Sequence, residues 1–189
     1  MNQTEDYQRL LLTLRKYSVK YGDFVLASGK RSKIYLDVRL TALRAKATPL
    51  IGRLFIAKFQ KRGWQPSAIG GLTMGADPIV TAISRESLEC GLEINGFLVR
   101  KEIKTYGRQR HIEGLTESEN KQVVIVEDVC TTGNSTLKAI GHARDHGLKV
   151  LGAICLVDRE EGGQETVENA ECPFDRIFTM SELTTENEI

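Results

Sequence analysis

Four β-favouring apolar residues in a row, Val123-Val124-Ile125-Val126, stop at two adjacent carboxylates, Glu127 and Asp128. An unbroken apolar run reads as a strand buried on both faces, as in a parallel sheet; a strand with one wet face would alternate. The pattern recurs along the chain. Short apolar runs predict strands over 67–71, 96–101, 122–128 and 149–158, and apolar residues at helical spacing predict helices over 46–62, 77–90 and 135–146. Strands alternating with helices imply right-handed crossovers, hence an α/β fold whose central, mostly parallel sheet is flanked by helices.

The N-terminal region has a different rhythm. Leu10, Leu11, Leu14 and Tyr17 recur at helical spacing and predict an amphipathic helix from about residue 4 to 21, with Gly22 as its stop. Two short strands, Phe24-Val25-Leu26 and 34–38, flank the turn-rich Ser28-Gly29-Lys30-Arg31-Ser32. They predict a small hairpin lobe, so that residues 1–40 or so form a hood beside the sheet. Residues 103–120 hold many charged side chains and little periodic apolar signal, which predicts a long exposed loop of the kind that serves as a mobile lid. No repeat or linker interrupts the chain, and its 189 residues suit a single domain spanning 1–189.

Composition narrows the function classes. With 41% hydrophobic and 27% charged residues the chain reads as an ordinary soluble globular protein, and a net charge of +1 predicts no nucleic-acid or anionic-membrane partner. The N-terminus lacks a basic start followed by an apolar segment, and no apolar stretch approaches about 20 residues, so neither secretion nor membrane insertion is expected. Cys90, Cys130, Cys155 and Cys172 are scattered without metal-ligand spacing, which fits free thiols in a reducing cytoplasm.

The chemistry starts where the buried strand ends. Val129-Cys130-Thr131-Thr132-Gly133-Asn134-Ser135 follows the acidic pair, placing carboxylates, hydroxyls and free backbone N–H groups at a strand's carboxyl end and a helix N-terminus. Open α/β sheets bind ligands there, and the helix start suits a phosphate. A nucleotide hydrolase would need a P-loop, but Gly29-Lys30 is followed by Arg31 and has no glycine at the required upstream position.

The segment V-V-I-V-E-D-V-C-T-T-G-N-S resembles the signature of the type I phosphoribosyltransferase family throughout. The resemblance implies that Glu127 and Asp128 take the ribose hydroxyls of phosphoribosyl diphosphate, while Thr131, Thr132, Gly133, Asn134 and Ser135 cradle its 5-phosphate. Glycine permits close backbone approach, and hydroxyls and amides donate to phosphate oxygens.

Further motifs narrow the family. Arg100-Lys101-Glu102-Ile103-Lys104-Thr105-Tyr106-Gly107, followed by Ile112-Glu113-Gly114, resembles the catalytic loop of orotate phosphoribosyltransferases. By that resemblance Arg100, Lys101 and Lys104 contact diphosphate and act with Asp128 in catalysis, and the loop reaches the partner subunit's site in a homodimer. Tyr106 stands where many relatives have histidine; His111, five residues on, reads as an exposed residue, as do His142 and His146. The turn Leu72-Thr73-Met74-Gly75 corresponds to the family's diphosphate loop, with Met74 in place of its usual lysine.

For the base, Arg159 in Asp158-Arg159-Glu160-Glu161-Gly162 is placed to read orotate's carboxylate, since a guanidinium binds carboxylate bidentately. The S-G-K-R-S-x-I-Y element resembles the family segment whose following residues pack on the base, which implies Tyr35 and Leu36 there with Thr131 beside it, and Ala27 stands where several relatives have a base-binding lysine. The resemblance spans residues 24–163 and implies transfer of phosphoribose to orotate, giving orotidine 5′-monophosphate and diphosphate in pyrimidine biosynthesis. Mg²⁺ is implied as cofactor, held mainly through phosphoribosyl diphosphate rather than by direct protein ligands. The alternatives are transfer to another nucleobase, or a regulator of the same fold that senses phosphoribosyl diphosphate.

Overall fold

The computed structural model describes residues 2–25, 29, 31–102, 111–115 and 122–185. The run that opens the sequence reading becomes β6 (Gln122–Cys130), with Val123, Val124, Ile125 and Val126 fully buried. β6 lies between two parallel neighbours, β3 (Ala68–Leu72) and β7 (Lys149–Asp158). β4 (Asn95–Val99) continues the sheet beyond β3 and β8 (Phe174–Thr179) beyond β7, both parallel, while the two-residue β5 (Ile112–Glu113) closes one edge antiparallel to β4. Among the described residues the order is β5-β4-β3-β6-β7-β8. The predicted mostly parallel sheet flanked by helices is thus present.

Two apolar clusters cover the sheet's faces. One joins α1 (Gln3–Tyr17), α3 (Thr48–Arg62) and α4 (Asp77–Glu89) to Val124 and Val126; the other joins α5 (Asn134–Asp145) to Val123 and Ile125. Alternate residues of β6 therefore serve opposite cores, as a strand's twofold side-chain period requires. The three helices of the first face are also tied by charge: Arg53 on α3 bridges Asp6 on α1 at 2.6 Å and Glu86 on α4 at 3.0 Å.

α1 is shorter than its apolar spacing predicts. It ends at Tyr17, because Ser18 is buried with its hydroxyl 2.7 Å from Thr41 Oγ1 and the chain turns there into β1 (Val19–Val25). β1 and β2 (Arg31–Leu36) form a separate antiparallel hairpin, and with α1 they make the N-terminal lobe. α2 (Arg39–Ala42) leads back to the main body. The C-terminal α6 (Gly163–Glu168), β8 and α7 (Met180–Thr184) were not foreseen from the sequence. No described helix is long and apolar enough to cross a membrane.

Candidate active site

The carboxyl ends of β3 and β6 meet at a cleft of about 500 Å³. Eight of the residues singled out from sequence line it: Leu72, Thr73, Met74 and Gly75 from the β3–α4 turn, Lys101 beyond β4, Glu127 and Asp128 at the end of β6, and Ser135 at the start of α5. Clefts elsewhere are as large. One of about 670 Å³ is lined by Phe59, Trp64, Pro66, Leu92 and Ile94 before β3 and β4. Open α/β sheets bind ligands at the carboxyl ends of their strands rather than at this end, so the acidic cleft is the candidate site.

The two acids have different surroundings. Glu127 is 5% exposed, and its Oε2 is buried without a hydrogen-bond partner among the described residues. Burial first, and the Asp128 carboxylate second, push the Glu127 carboxyl well above its usual range. Asp128 is half-buried and accepts the Val129 backbone N–H at 2.9 Å. Asp77, at the start of α4, also has an unpartnered buried oxygen, and burial, then Asp128, raises its pKa. An orphaned carboxylate oxygen in a cleft awaits a donor such as a ligand hydroxyl.

Close packing sets the turn against the acids. A Cβ on Gly75 would sit 2.6 Å from Asp128 Cγ and 2.8 Å from Oδ2, so only glycine lets the β3–α4 turn lie on this carboxylate. A cis peptide joins Thr73 to Met74, and Met74 is 68% exposed at the mouth. Below Asp128 the chain reverses through Thr131 and Thr132 to Gly133, which caps α5 at φ 80°. Asn134 and Ser135 begin that helix and are exposed. Thr131, Thr132 and Asn134 thus sit beside the acidic pair, where the first N–H groups of α5 lack intrahelical acceptors.

Other expected residues lie around the cleft rather than in it. Arg100 pairs with Glu113 of β5 at 2.9 Å. Arg159 follows β7; its backbone N–H donates to Cys130 O at 2.8 Å, which ties it to the root of the turn between β6 and α5. Its Nη2 meets Glu161 Oε1 at 2.9 Å, and its Nε is buried without a partner. Tyr35 and Leu36 end β2, with the Tyr35 ring 5.4 Å from Phe24. Lys104, Tyr106 and Ala27 lie outside the described residues.

The structure adds features that sequence reasoning missed. Arg39 lines the cleft, held by Asp37 through Nε at 2.9 Å and Nη2 at 3.1 Å. Its signal was an Asp-x-Arg immediately after the hairpin strand. His111 is not a bland exposed residue: its ring stacks on that of His142 at 3.5 Å, and its Nδ1 lies 3.2 Å from Arg100 O. Within 103–120, Ile112 is buried and paired in β5, so this part of the expected exposed loop is anchored to the sheet.

Comparison with known proteins gives a consistent result. Residues 41–177 match the phosphoribosyl transferase domain model. The chain is 41% identical over 170 residues to an orotate phosphoribosyltransferase of Corynebacterium glutamicum, covering 90% of this chain and 89% of the relative. It is 41% identical over 179 residues to that of Aquifex aeolicus, covering 93% and 96%. The crystal structure of Mycobacterium tuberculosis H37Rv orotate phosphoribosyltransferase in complex with 5-phospho-alpha-D-ribosyl 1-diphosphate matches with a TM-score of 0.80 at 34% identity, covering 95% of this chain and 99% of that one.

Proposed function

This chain belongs to the orotate phosphoribosyltransferase family, and we infer its reaction from that premise: transfer of the 5-phosphoribosyl group from phosphoribosyl diphosphate to orotate, giving orotidine 5′-monophosphate and diphosphate. One observation carries the reading onto these residues. The diphosphate turn, the acidic pair with its unpartnered Glu127 Oε2, and Ser135 at the phosphate-side helix all line a single cleft.

Displacement at the anomeric carbon builds positive charge on the ribose ring and negative charge on the departing diphosphate. Glu127 and Asp128 face the former by holding the ribose hydroxyls, and Lys101 stabilises the latter, joined by Arg100 and Lys104. Thr131, Thr132, Gly133, Asn134 and Ser135 hold the 5-phosphate. The amides of Leu72, Thr73, Met74 and Gly75 hold the diphosphate. Arg159, whose Nε lacks a partner, takes the orotate carboxylate, with Tyr35, Leu36 and Thr131 beside the base.

Mg²⁺ fits this donor set. Among the described residues no cluster of three or more ligating side chains would cage a metal, so an ion would be held mainly through phosphoribosyl diphosphate, with the Glu127 and Asp128 carboxyls nearby. When bound, the ion supplies counter-charge to the phosphoryl oxygens. A homodimer that shares residues 103–120 between sites and works in the reducing cytoplasm completes the reading; Cys90, Cys130, Cys155 and Cys172 are free thiols. Sedimentation of the purified chain tests the dimer.

With phosphoribosyl diphosphate and Mg²⁺, orotate's ultraviolet absorbance should fall with time while uracil, adenine and xanthine stay unchanged. Folded protein that leaves orotate untouched would sink the assignment. Arg159→Ala should weaken orotate by about 10-fold or more, the loss expected for one charged hydrogen bond, while sparing phosphoribosyl diphosphate.

A further inference from the structure

Met74 stands where the family's lysine is expected, yet a cation is fixed in the same cleft. Arg39 lines the same cleft as Thr73, Met74, Gly75 and Asp128, although it comes from a different part of the chain, the start of α2 just beyond the hairpin. Asp37 grips it in a planar fork: Nε donates to Oδ1 at 2.9 Å and Nη2 to Oδ2 at 3.1 Å, while the Arg39 backbone N–H donates to Oδ1 at 3.1 Å. Asp37 is itself anchored through its backbone N–H, which donates to Ser18 O at 2.9 Å.

This grip occupies one edge of the guanidinium only. Nη1 makes no hydrogen bond among the described residues, and a guanidinium with a fixed orientation and a free edge is suited to a phosphate. The Asp128 carboxylate acts on Arg39 as well, adding to the larger effect of Asp37 in raising its pKa. The guanidinium is therefore within electrostatic reach of the acidic pair.

Charge balance points the same way. The described lining carries Arg39 and Lys101 against Glu127 and Asp128. Without Arg39, one described cation would face two acids and an incoming polyanion. An ordinary surface ion pair explains the bond to Asp37, but not why the arginine lines the same cleft as the acidic pair and the β3–α4 turn.

We propose that Arg39 is a substrate-contacting cation of the transfer reaction, binding the diphosphate of phosphoribosyl diphosphate through Nη1 where the family's lysine is replaced by Met74, and that Asp37 is its positioning residue. The proposal rests on the reading of this cleft as the phosphoribosyl diphosphate site. Since charge on the departing diphosphate grows as the bond to ribose breaks, Arg39 contributes to kcat as well as to binding.

Calorimetric titration with inorganic diphosphate and Mg²⁺, run beside steady-state kinetics, tests this. Arg39→Ala should weaken diphosphate by about 10- to 100-fold, as expected for a lost charged hydrogen bond, and leave the KM for orotate within about twofold. Met74→Lys added to Arg39→Ala should recover about tenfold of that loss or more, and Asp37→Asn should give a smaller loss than Arg39→Ala. Diphosphate binding by Arg39→Ala within about twofold of wild type, or equal weakening of diphosphate and orotate, overturns the proposal. If Arg39→Ala does not fold, phenylglyoxal modification of the wild-type chain decides: diphosphate should protect Arg39, and unchanged reactivity overturns the assignment. A wild-type chain that binds diphosphate but does not consume orotate defeats the proposed reaction, not the role of Arg39.

Discussion

Gly75→Ala isolates the contact between the β3–α4 turn and Asp128 of the acidic pair. The added Cβ would stand 2.6 Å from Asp128 Cγ and 2.8 Å from Oδ2, with Oδ1 closer still. Non-bonded heavy atoms become comfortable only near about 3.5 Å, so the turn and the carboxylate must separate by roughly 1 Å. Gly75 is not among the glycines with positive φ, so alanine is allowed by the backbone and the whole effect comes from the clash. A misplacement of about 1 Å in a reacting constellation costs about 10²-fold, equivalent to about 2.7 kcal/mol, in kcat/KM for phosphoribosyl diphosphate. Overpacking should also remove about 1–3 kcal/mol of stability, or roughly 2–4 °C of Tm for each kcal/mol. Gly141→Ala is the internal control: it lies in α5 with nothing within 4 Å of its added Cβ. It should gain about 0.5–1 kcal/mol and keep its kinetics. Orotate consumption and thermal melts on both variants give the answer. A Gly75→Ala enzyme within about threefold of wild-type kcat/KM, a change below about 1 kcal/mol, would refute the reasoning.

Other expectations follow from burial and charge. Burial raises the Glu127 carboxyl, so as pH rises above the ordinary value of 4.5 the unfolded chain loses that proton first and the native state loses relative stability until its own carboxyl ionises. Glu127→Gln should therefore melt higher than wild type by a margin that widens as pH rises above 4.5 and levels off once the native carboxyl ionises, while kcat/KM falls; a pH-independent margin contradicts this. Arg53→Met strands Asp6 and leaves Glu86 only Arg85 at 3.9 Å, both acids being 7% exposed, and should cost about 2–4 kcal/mol, or roughly 5–15 °C of Tm, with kinetics unchanged at temperatures where the variant is folded. Arg53 holds Asp6 below its usual 3.8, so Asp6 contributes stability above that value that is lost as pH falls through its folded pKa; the gap between Arg53→Met and wild type should narrow there. Burial, then His111, lowers the His142 pKa, so His111→Ala should move its NMR titration upward; an unmoved titration shows that the stack exerts no such influence.

The centre of the main sheet was legible because β3, β6 and most of β7 are buried on both faces. Val123 to Val126 announced β6 without ambiguity, and β3, β4 and β7 have similarly apolar runs. The hairpin was less so. β1 has only Val19 buried, so pairing with β2 gives it a strand's hydrogen bonds without a strand's apolar pattern, and its start was read as helix. In the C-terminal region the signal existed. Phe174, Ile177 and Phe178 are buried in or beside β8, and Thr179 caps α7 reciprocally with Glu182, a pairing visible as Thr-x-x-Glu.

The site divides along a different line, between what sequence neighbours determine and what the fold brings together. Glu127, Asp128 and Ser135 lie within nine residues of one another, and the strand-turn-helix that holds them can be read locally. Arg39, the Arg100–Glu113 pair and the His111–His142 stack depend on contacts between separate elements, for which a single sequence offers no period. The Met74 substitution was visible as a missing charge, but a cation from elsewhere in the chain could not be located until Arg39 of α2 was seen to line the same cleft as the β3–α4 turn. A cation's usefulness to a phosphate depends on position rather than on chain order. An arginine held through one edge by a neighbouring acid can therefore stand in for a lysine that would have come from the turn itself, provided both present charge to the same part of the ligand. That equivalence gives the Met74→Lys rescue its force: it asks whether the cleft needs a charge there, independently of which element supplies it.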